Sequence, residues 1–188
     1  MKKIYFYLIG ILLLVVSFFL DNTFTGFFVN NKLGFFDGLA IFIYNIEGYV
    51  LFLFVLIILF MFKQKSKILP LLLALVLYLG LTQIIKVIIA RPRPFTKFNF
   101  PDLGEAGANA NRSFPSGHST GSASLVRFFE FNRIFLWIWI AITILIMFSR
   151  IYLGMHYLSD VVAGFVLGYA MGDFSIFLAE KLQKKGYF

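Results

Sequence analysis

Residues 68–94 read ILPLLLALVLYLGLTQIIKVIIARPRP, and the fold follows from how this stretch begins and ends. From Ile68 to Ile85 there is no charged side chain, and the first charge is Lys86. A helix needs roughly 20 mostly apolar residues to cross the hydrocarbon of a bilayer, and this run supplies them. Arg91-Pro92-Arg93-Pro94 then stops it, because proline lacks the amide a helix needs and disfavours helical geometry in the residue before it. A span therefore ends where a lysine and two arginines gather.

The pattern repeats in both directions. Apolar runs predict further spans at 4–20, 41–62, 116–132, 134–152 and 157–179, which with 68–89 make an all-α, six-transmembrane-helix bundle, read as a single domain over 1–188. Lipid cannot satisfy backbone polar groups, so spans are helices or closed barrels, and these runs are too long and unalternating for barrel strands. With 60% hydrophobic residues and 14% charged, the composition excludes an ordinary soluble domain. The net charge of +8 does not describe a nucleic-acid surface, since Lys and Arg fall in short clusters between apolar runs. The absence of cysteine excludes a disulfide framework, a thiolate metal site and a cysteine nucleophile. Lys2 and Lys3 ahead of Ile4–Leu20 have the look of a secretory leader, but no small-residue cleavage site follows, so the segment reads as a retained first span.

Two connections stand out. Residues 22–39 are polar enough to leave the bilayer, and Phe24, Phe27, Phe28, Phe35 and Phe36 suit an interfacial helix between the first two spans. Residues 91–115 form a long loop rich in Pro, Gly and Asn, of a length that is uncommon without a role. With six spans both termini share a side, and that side holds Lys2, Lys3, Lys63, Lys65, Lys67, Arg127, Arg133, Lys181, Lys184 and Lys185, ten of the seventeen basic residues. The positive-inside rule makes it the cytoplasmic side of an inner membrane. Gly164, Gly168 and Gly172 recur every four residues, a small-residue stripe suited to close helix packing. Arg127 and Glu130 read as a structural pair, or as partners for Asp173.

The outward-facing polar chemistry concentrates in three segments: Lys86–Pro94, Pro115–His118 and Ser149–Asp160. Ionisable groups at the ends of three spans on one side of a membrane point to a polar pocket. Taken singly, Lys86, Arg93 or Arg150 is an interfacial anchor; together with both histidines of the chain they form a phosphate-sized cationic cluster. Pro115-Ser116-Gly117-His118 opens a span, so the amides of Ser116 and Gly117 become candidate anion donors, with His118 one turn behind. His156 and Asp160 are four apart, a spacing that shares a helix face and lets a carboxylate orient an imidazole.

These segments resemble the three signature motifs of the PAP2 (type 2 phosphatidic acid phosphatase) superfamily: Lys86 with Arg93-Pro94, then Pro115-Ser116-Gly117-His118, then Ser149-Arg150 with His156 and Asp160. The resemblance implies catalytic roles for His156, His118 and Asp160. His156 attacks phosphorus, Asp160 orients it, and His118 protonates the leaving oxygen and then activates water. Phosphate is held by Lys86, Arg93, Ser116, Gly117 and Arg150, with no metal and no cofactor. Metal independence has local support: Asp21, Asp37, Glu47, Asp102 and Glu105 are scattered rather than clustered.

Arg91 and Arg112 are candidate substrate contacts, Arg91 equally an interfacial anchor. Phe95, Phe98 and Phe100 read either as a lipid gate or as an aromatic belt. The implied partner is a lipid phosphate in the bilayer, hydrolysed at the periplasmic or exterior face. The compact form resembles lipid A 1-phosphatases first, with undecaprenyl pyrophosphate and phosphatidylglycerophosphate phosphatases as alternatives. The rival of another class is a transporter that binds an anion without chemistry.

Overall fold

The computed structural model describes residues 2–31, 34–46, 48–100 and 109–185. Glu47, Asp102 and Glu105 lie outside them, as does Lys32. Among the described residues there are seven α-helices and no strand: α1 (Lys2–Asn30), α2 (Gly34–Tyr44), α3 (Gly48–Met61), α4 (Ile68–Ile89), α5 (Gly117–Ser124), α6 (Arg133–Tyr152) and α7 (Leu158–Lys184). Among the described residues, four stretches are long and apolar enough to cross a membrane: Ile4–Asn30, Lys65–Thr96, Arg133–Tyr152 and Leu158–Lys184. The α2–α3 pair would make a fifth as a span bent by 74°.

Three sequence expectations change. The first helix does not stop near Leu20 but runs on to Asn30. Asp21, the first residue past the expected span, is buried and fully engaged, its carboxylate accepting from the Ser159 amide at 2.8 Å and the Arg91 guanidinium at 2.7 Å. The separate helix expected at 22–39 therefore starts only at Gly34 and runs into the expected 41–62 span, which breaks after Tyr44. That break exposes backbone carbonyls that the site uses. The third change is at 116–132, where the chain makes an eight-residue helix and a 3-10 turn, Val126–Phe129, in place of a membrane-length helix.

The reason lies in the sequence of α5, GHSTGSAS. It is too polar to face lipid, and Ser119 to Ser124 are all buried. Its hydroxyls bond within the helix, Thr120 Oγ1 to the Ser116 carbonyl at 2.8 Å and Ser124 Oγ to that of Gly121 at 2.7 Å. The glycine stripe of α7 makes room for it. A Cβ at Gly164 would sit 2.7 Å from the Ser116 carbonyl oxygen, while Gly168 and Gly172 lie against the carbonyls of Thr120 and Ser124. The two helices thus run parallel, in register, at the distance only glycine allows.

Around this central element the helices bury a core of Val55, Leu59, Ala74, Leu125, Phe128 and Trp139. Their outer faces stay apolar, with Phe19 82%, Ile88 74% and Ile134 70% exposed, as a lipid-facing surface requires. α1 packs antiparallel to α7, Tyr7 donating to Asp173 at one end while Asp21 meets Ser159 at the other. At the Tyr7 end Arg127 pairs with Glu130 at 2.7 Å and with Asp173 at 2.9 Å, the structural role expected of it.

Candidate active site

At the opposite end from Arg127, the C-termini of α4 and α6 and the N-termini of α5 and α7 meet. Ala90 ends α4 in a left-handed turn (φ 46°), its amide bonded to the Lys86 carbonyl, and releases the Arg91–Pro94 segment across the bundle end. A cavity of about 280 Å³ opens there, lined by Lys86, Arg93, Arg112, Gly117, His118, Arg150 and His156, with Tyr44, Tyr78, Gln83, Asn109 and Met155. Four cations face it and, among the described residues, no carboxylate lines it.

Three of the four, Lys86, Arg93 and Arg150, are braced by backbone carbonyls. Lys86 Nζ donates to the Arg112 carbonyl at 2.8 Å. Arg93 donates from Nε to that of Asn109 at 2.9 Å and from Nη1 to that of Met155 at 3.3 Å. Arg150, 1% exposed, donates to the Ile43 carbonyl at 2.7 Å and lies over the Tyr44 ring, 5.0 Å from its centroid. Such bracing fixes the donors in advance, which is what stabilises developing negative charge at least reorganisation.

His118 occupies the first turn of α5, with Nε2 2.9 Å from the Ile46 carbonyl oxygen. A carbonyl only accepts, so Nε2 carries a proton and Nδ1 is the nitrogen left for exchange. His156 does not share a helix face with Asp160. It precedes the N-cap Tyr157, and Asp160 is the third residue of the helix. Nδ1 of His156 is 3.6 Å from Asp160 Oδ2, beyond hydrogen-bond distance. Burial, then Arg93, Lys86 and Arg150, hold the His156 imidazole well below its ordinary pKa, against the Ser113 backbone, so the ring is neutral.

Asp160 is instead a hub. One oxygen takes the Tyr157 amide at 2.8 Å and the Ser113 hydroxyl, and the other takes Arg91 Nη1 at 2.6 Å. Because Tyr157 follows His156 directly, the carboxylate fixes the His156 backbone as well as facing its ring.

The placements sort the predicted residues. Lys86, Arg93, Gly117, His118, Arg150 and His156 come together around the cavity, and so does Arg112. Ser116 does not line it, since its amide donates to the Asp160 carbonyl at 3.0 Å and its hydroxyl caps α5. Arg91 turns away from the cavity toward Asp21 and Asp160. Phe100 packs on Gly154, and Phe95 packs against the buried cluster of Ala40, Tyr152, Leu153 and Met155, so neither stands free as a gate. Sequence reasoning missed Gln83, one turn before Lys86 on α4, along with Asn109, Tyr44 and Tyr78. The amide of Gln83 in an otherwise apolar stretch was the available signal. Among the described residues no three His, Asp or Glu side chains form a metal-ligating group.

Two imidazoles and four cations around one cavity, inside a bundle of membrane-length helices, define a membrane-embedded anion site equipped for acid–base and nucleophilic chemistry. The chain belongs to the PAP2 superfamily, a family of membrane lipid phosphatases, matching it over residues 67–183. It is similar to an undecaprenyl-diphosphatase of Sulfolobus acidocaldarius, 28% identical over an alignment of 206 positions that covers 99% of this chain and 95% of that one. It is also similar to a lipid A 4'-phosphatase of Porphyromonas gingivalis, 31% identical over 50% of this chain and 42% of the relative. The crystal structure of Aquifex aeolicus LpxE superposes with a TM-score of 0.67 at 27% identity, covering 84% of this chain and 94% of LpxE.

Proposed function

We propose that this protein hydrolyses a lipid diphosphate at the outer face of the membrane through a phosphohistidine on His156, without metal. The observation that carries the reading is the convergence of Lys86, Arg93, Arg112 and Arg150 on a cavity that also holds both histidines. Neutral His156, with Nδ1 on the Asp160 side, directs Nε2 at phosphorus. A P–N bond forms as the bond from phosphorus to the lipid-side oxygen breaks, and His118, entering as the imidazolium beside the bound phosphate anion, gives that oxygen its Nδ1 proton and is left neutral with Nε2–H on the Ile46 carbonyl. Water then attacks the phosphohistidine, losing its proton to His118, and the P–N bond breaks to release phosphate. Lys86, Arg93, Arg150 and the Gly117 amide hold the phosphoryl oxygens throughout.

The cations favour a diphosphate, because four positive charges exceed what a single phosphomonoester of about −2 neutralises. The similarity to an undecaprenyl-diphosphatase along nearly the whole chain agrees. Lipid A 1-phosphate is the second reading, favoured by the compact architecture and by the superposition on LpxE. The chain alternates direction between the two ends of the bundle, which supports six crossings in a single domain over 1–188, with both termini in the cytoplasm. Since the protein has no cysteine, single introduced cysteines report that topology directly. The functional test is phosphate release in detergent with EDTA from a polyprenyl diphosphate, lipid A and phosphatidylglycerophosphate in parallel. Release persisting in EDTA and lost in His156→Ala is the expected result. No release from any lipid would move anion transport to the front.

A further inference from the structure

Behind His156, on the side away from the cavity, lies a second polar cluster assembled from α1, the Arg91 segment and α7. Asp21 is 4% exposed in an otherwise apolar helix. Its Oδ1 accepts from the Ser159 amide at 2.8 Å, and its Oδ2 from the Ser159 hydroxyl at 2.6 Å and Arg91 Nη2 at 2.7 Å. Arg91 Nη1 reaches the Ser159 hydroxyl at 2.6 Å and Asp160 Oδ1 at 2.6 Å. The guanidinium is further held between the rings of Phe18 and Tyr157, 5.4 and 4.2 Å from their centroids. A buried carboxylate in a membrane helix is costly and usually serves a function. Packing alone does not require this one, since α1 already meets α7 at Gly10 against Val166.

We propose that Asp21, acting through Ser159 and Arg91, is a positioning residue that sets the orientation and electrostatic surroundings of Asp160 and thereby of His156. The proposal rests on His156 being the nucleophile. It makes the first helix, which carries none of the signature motifs, part of the catalytic apparatus.

The charge arrangement gives the relay a signature that a packing role lacks. His156 faces Lys86, Arg93 and Arg150 from α4, the segment after it and α6, His118 from α5, and Asp160 from α7, with Arg91 and Asp21 behind Asp160. Arg91 is shared between two carboxylates. Removing its charge leaves Asp160 unopposed, which favours the imidazolium. Removing the charge of Asp21 leaves Arg91 to Asp160 alone, which disfavours it. The two substitutions therefore move His156 in opposite directions.

The experiment follows the His156 ring by nitrogen-15 histidine NMR in detergent, with kcat and KM for release from polyprenyl diphosphate measured beside it. With only two histidines in the chain, loss of one signal in His156→Gln assigns the spectrum. At an acidic pH within the wild-type titration, the protonated fraction is expected to rise in Arg91→Gln and to fall in Asp21→Asn. In Asp21→Asn and Ser159→Ala, kcat should drop roughly ten- to a hundredfold, by analogy with the loss when hydrogen-bond partners of metal-bound histidines are removed, with KM within about twofold. Asp21→Glu should recover part of the loss, and Thr23→Ala, exposed on the same helix, should match wild type. Wild-type kcat in folded Asp21→Asn and Ser159→Ala, or identical His156 protonation across the set, would overturn the proposal. If the wild type hydrolyses no lipid, the phosphatase reading falls, while the order of His156 protonation still decides whether Asp21 and Arg91 act on it.

Discussion

Gly164→Ala places one methyl group between α7 and the start of α5. The new Cβ would lie 2.7 Å from the Ser116 carbonyl oxygen, 3.0 Å from Ser119 Cβ and 3.1 Å from Thr120 Oγ1, where ordinary contact begins near 3.4 Å. Relief needs a displacement of about 0.7 Å, and the nearest atom is backbone, so the N-terminus of α5 moves rather than a side chain. That terminus carries the Gly117 amide and His118. Misplacing a catalytic group by about 1 Å costs about a hundredfold, so roughly 0.7 Å corresponds to about a twentyfold loss in kcat. Stability should fall by about 0–2 kcal/mol. Overpacking costs about 1–3 kcal/mol, and replacing helical glycine by alanine recovers about 1 kcal/mol. The assay is phosphate release at saturating lipid, with thermal unfolding in the same detergent. Gly80→Ala on α4 is the control, since a Cβ there meets nothing within 4 Å. A Gly164→Ala enzyme with wild-type kcat and raised stability would refute the view that the glycine stripe positions the site.

Other outcomes follow from the same geometry. Arg93→Gln removes the positive charge that does most, after burial, to hold His156 neutral, so the acid limb of kcat/KM should move to higher pH as His156, the proposed nucleophile, protonates more easily. Lys86→Met and Arg112→Met should separate phosphate binding from leaving-group chemistry, the first lowering kcat and the second mainly raising KM for a diphosphate. At the far end of the bundle, Arg127→Met leaves Asp173 without its 2.9 Å ion pair, which should cost about 1–3 kcal/mol of stability while the folded fraction keeps wild-type kcat.

Much of this was legible in the sequence because the bilayer imposes a coarse rule on apolar length. The spans at 68–89, 134–152 and 157–179 match α4, α6 and α7 closely, and the six charged and imidazole groups of the cavity sit where four helix ends meet. The rule failed where polarity was satisfied inside the protein. The first span was expected to end before Asp21, whose partners, Ser159 and Arg91, are far away in sequence. The same cause hid the role of Arg91, whose neighbouring prolines placed it at the interface but could not show which carboxylates it would join. In α5 the many hydroxyls bond to their own helix, a solution that hydropathy does not register. His156 was assigned to a helix face from spacing alone, but Asp160 takes up the Tyr157 amide to start α7, and that capping leaves His156 just outside it.

The central claim is that phosphorus passes through His156. The most direct measurement quenches wild-type protein during turnover of a polyprenyl diphosphate labelled at the terminal phosphate, in EDTA, and asks whether label is bound to the chain. The expected result is an acid-labile, base-stable phosphoryl group on the peptide that contains His156, absent in His156→Gln. Label on another residue, or turnover of the His156→Gln enzyme at the wild-type rate, would contradict it.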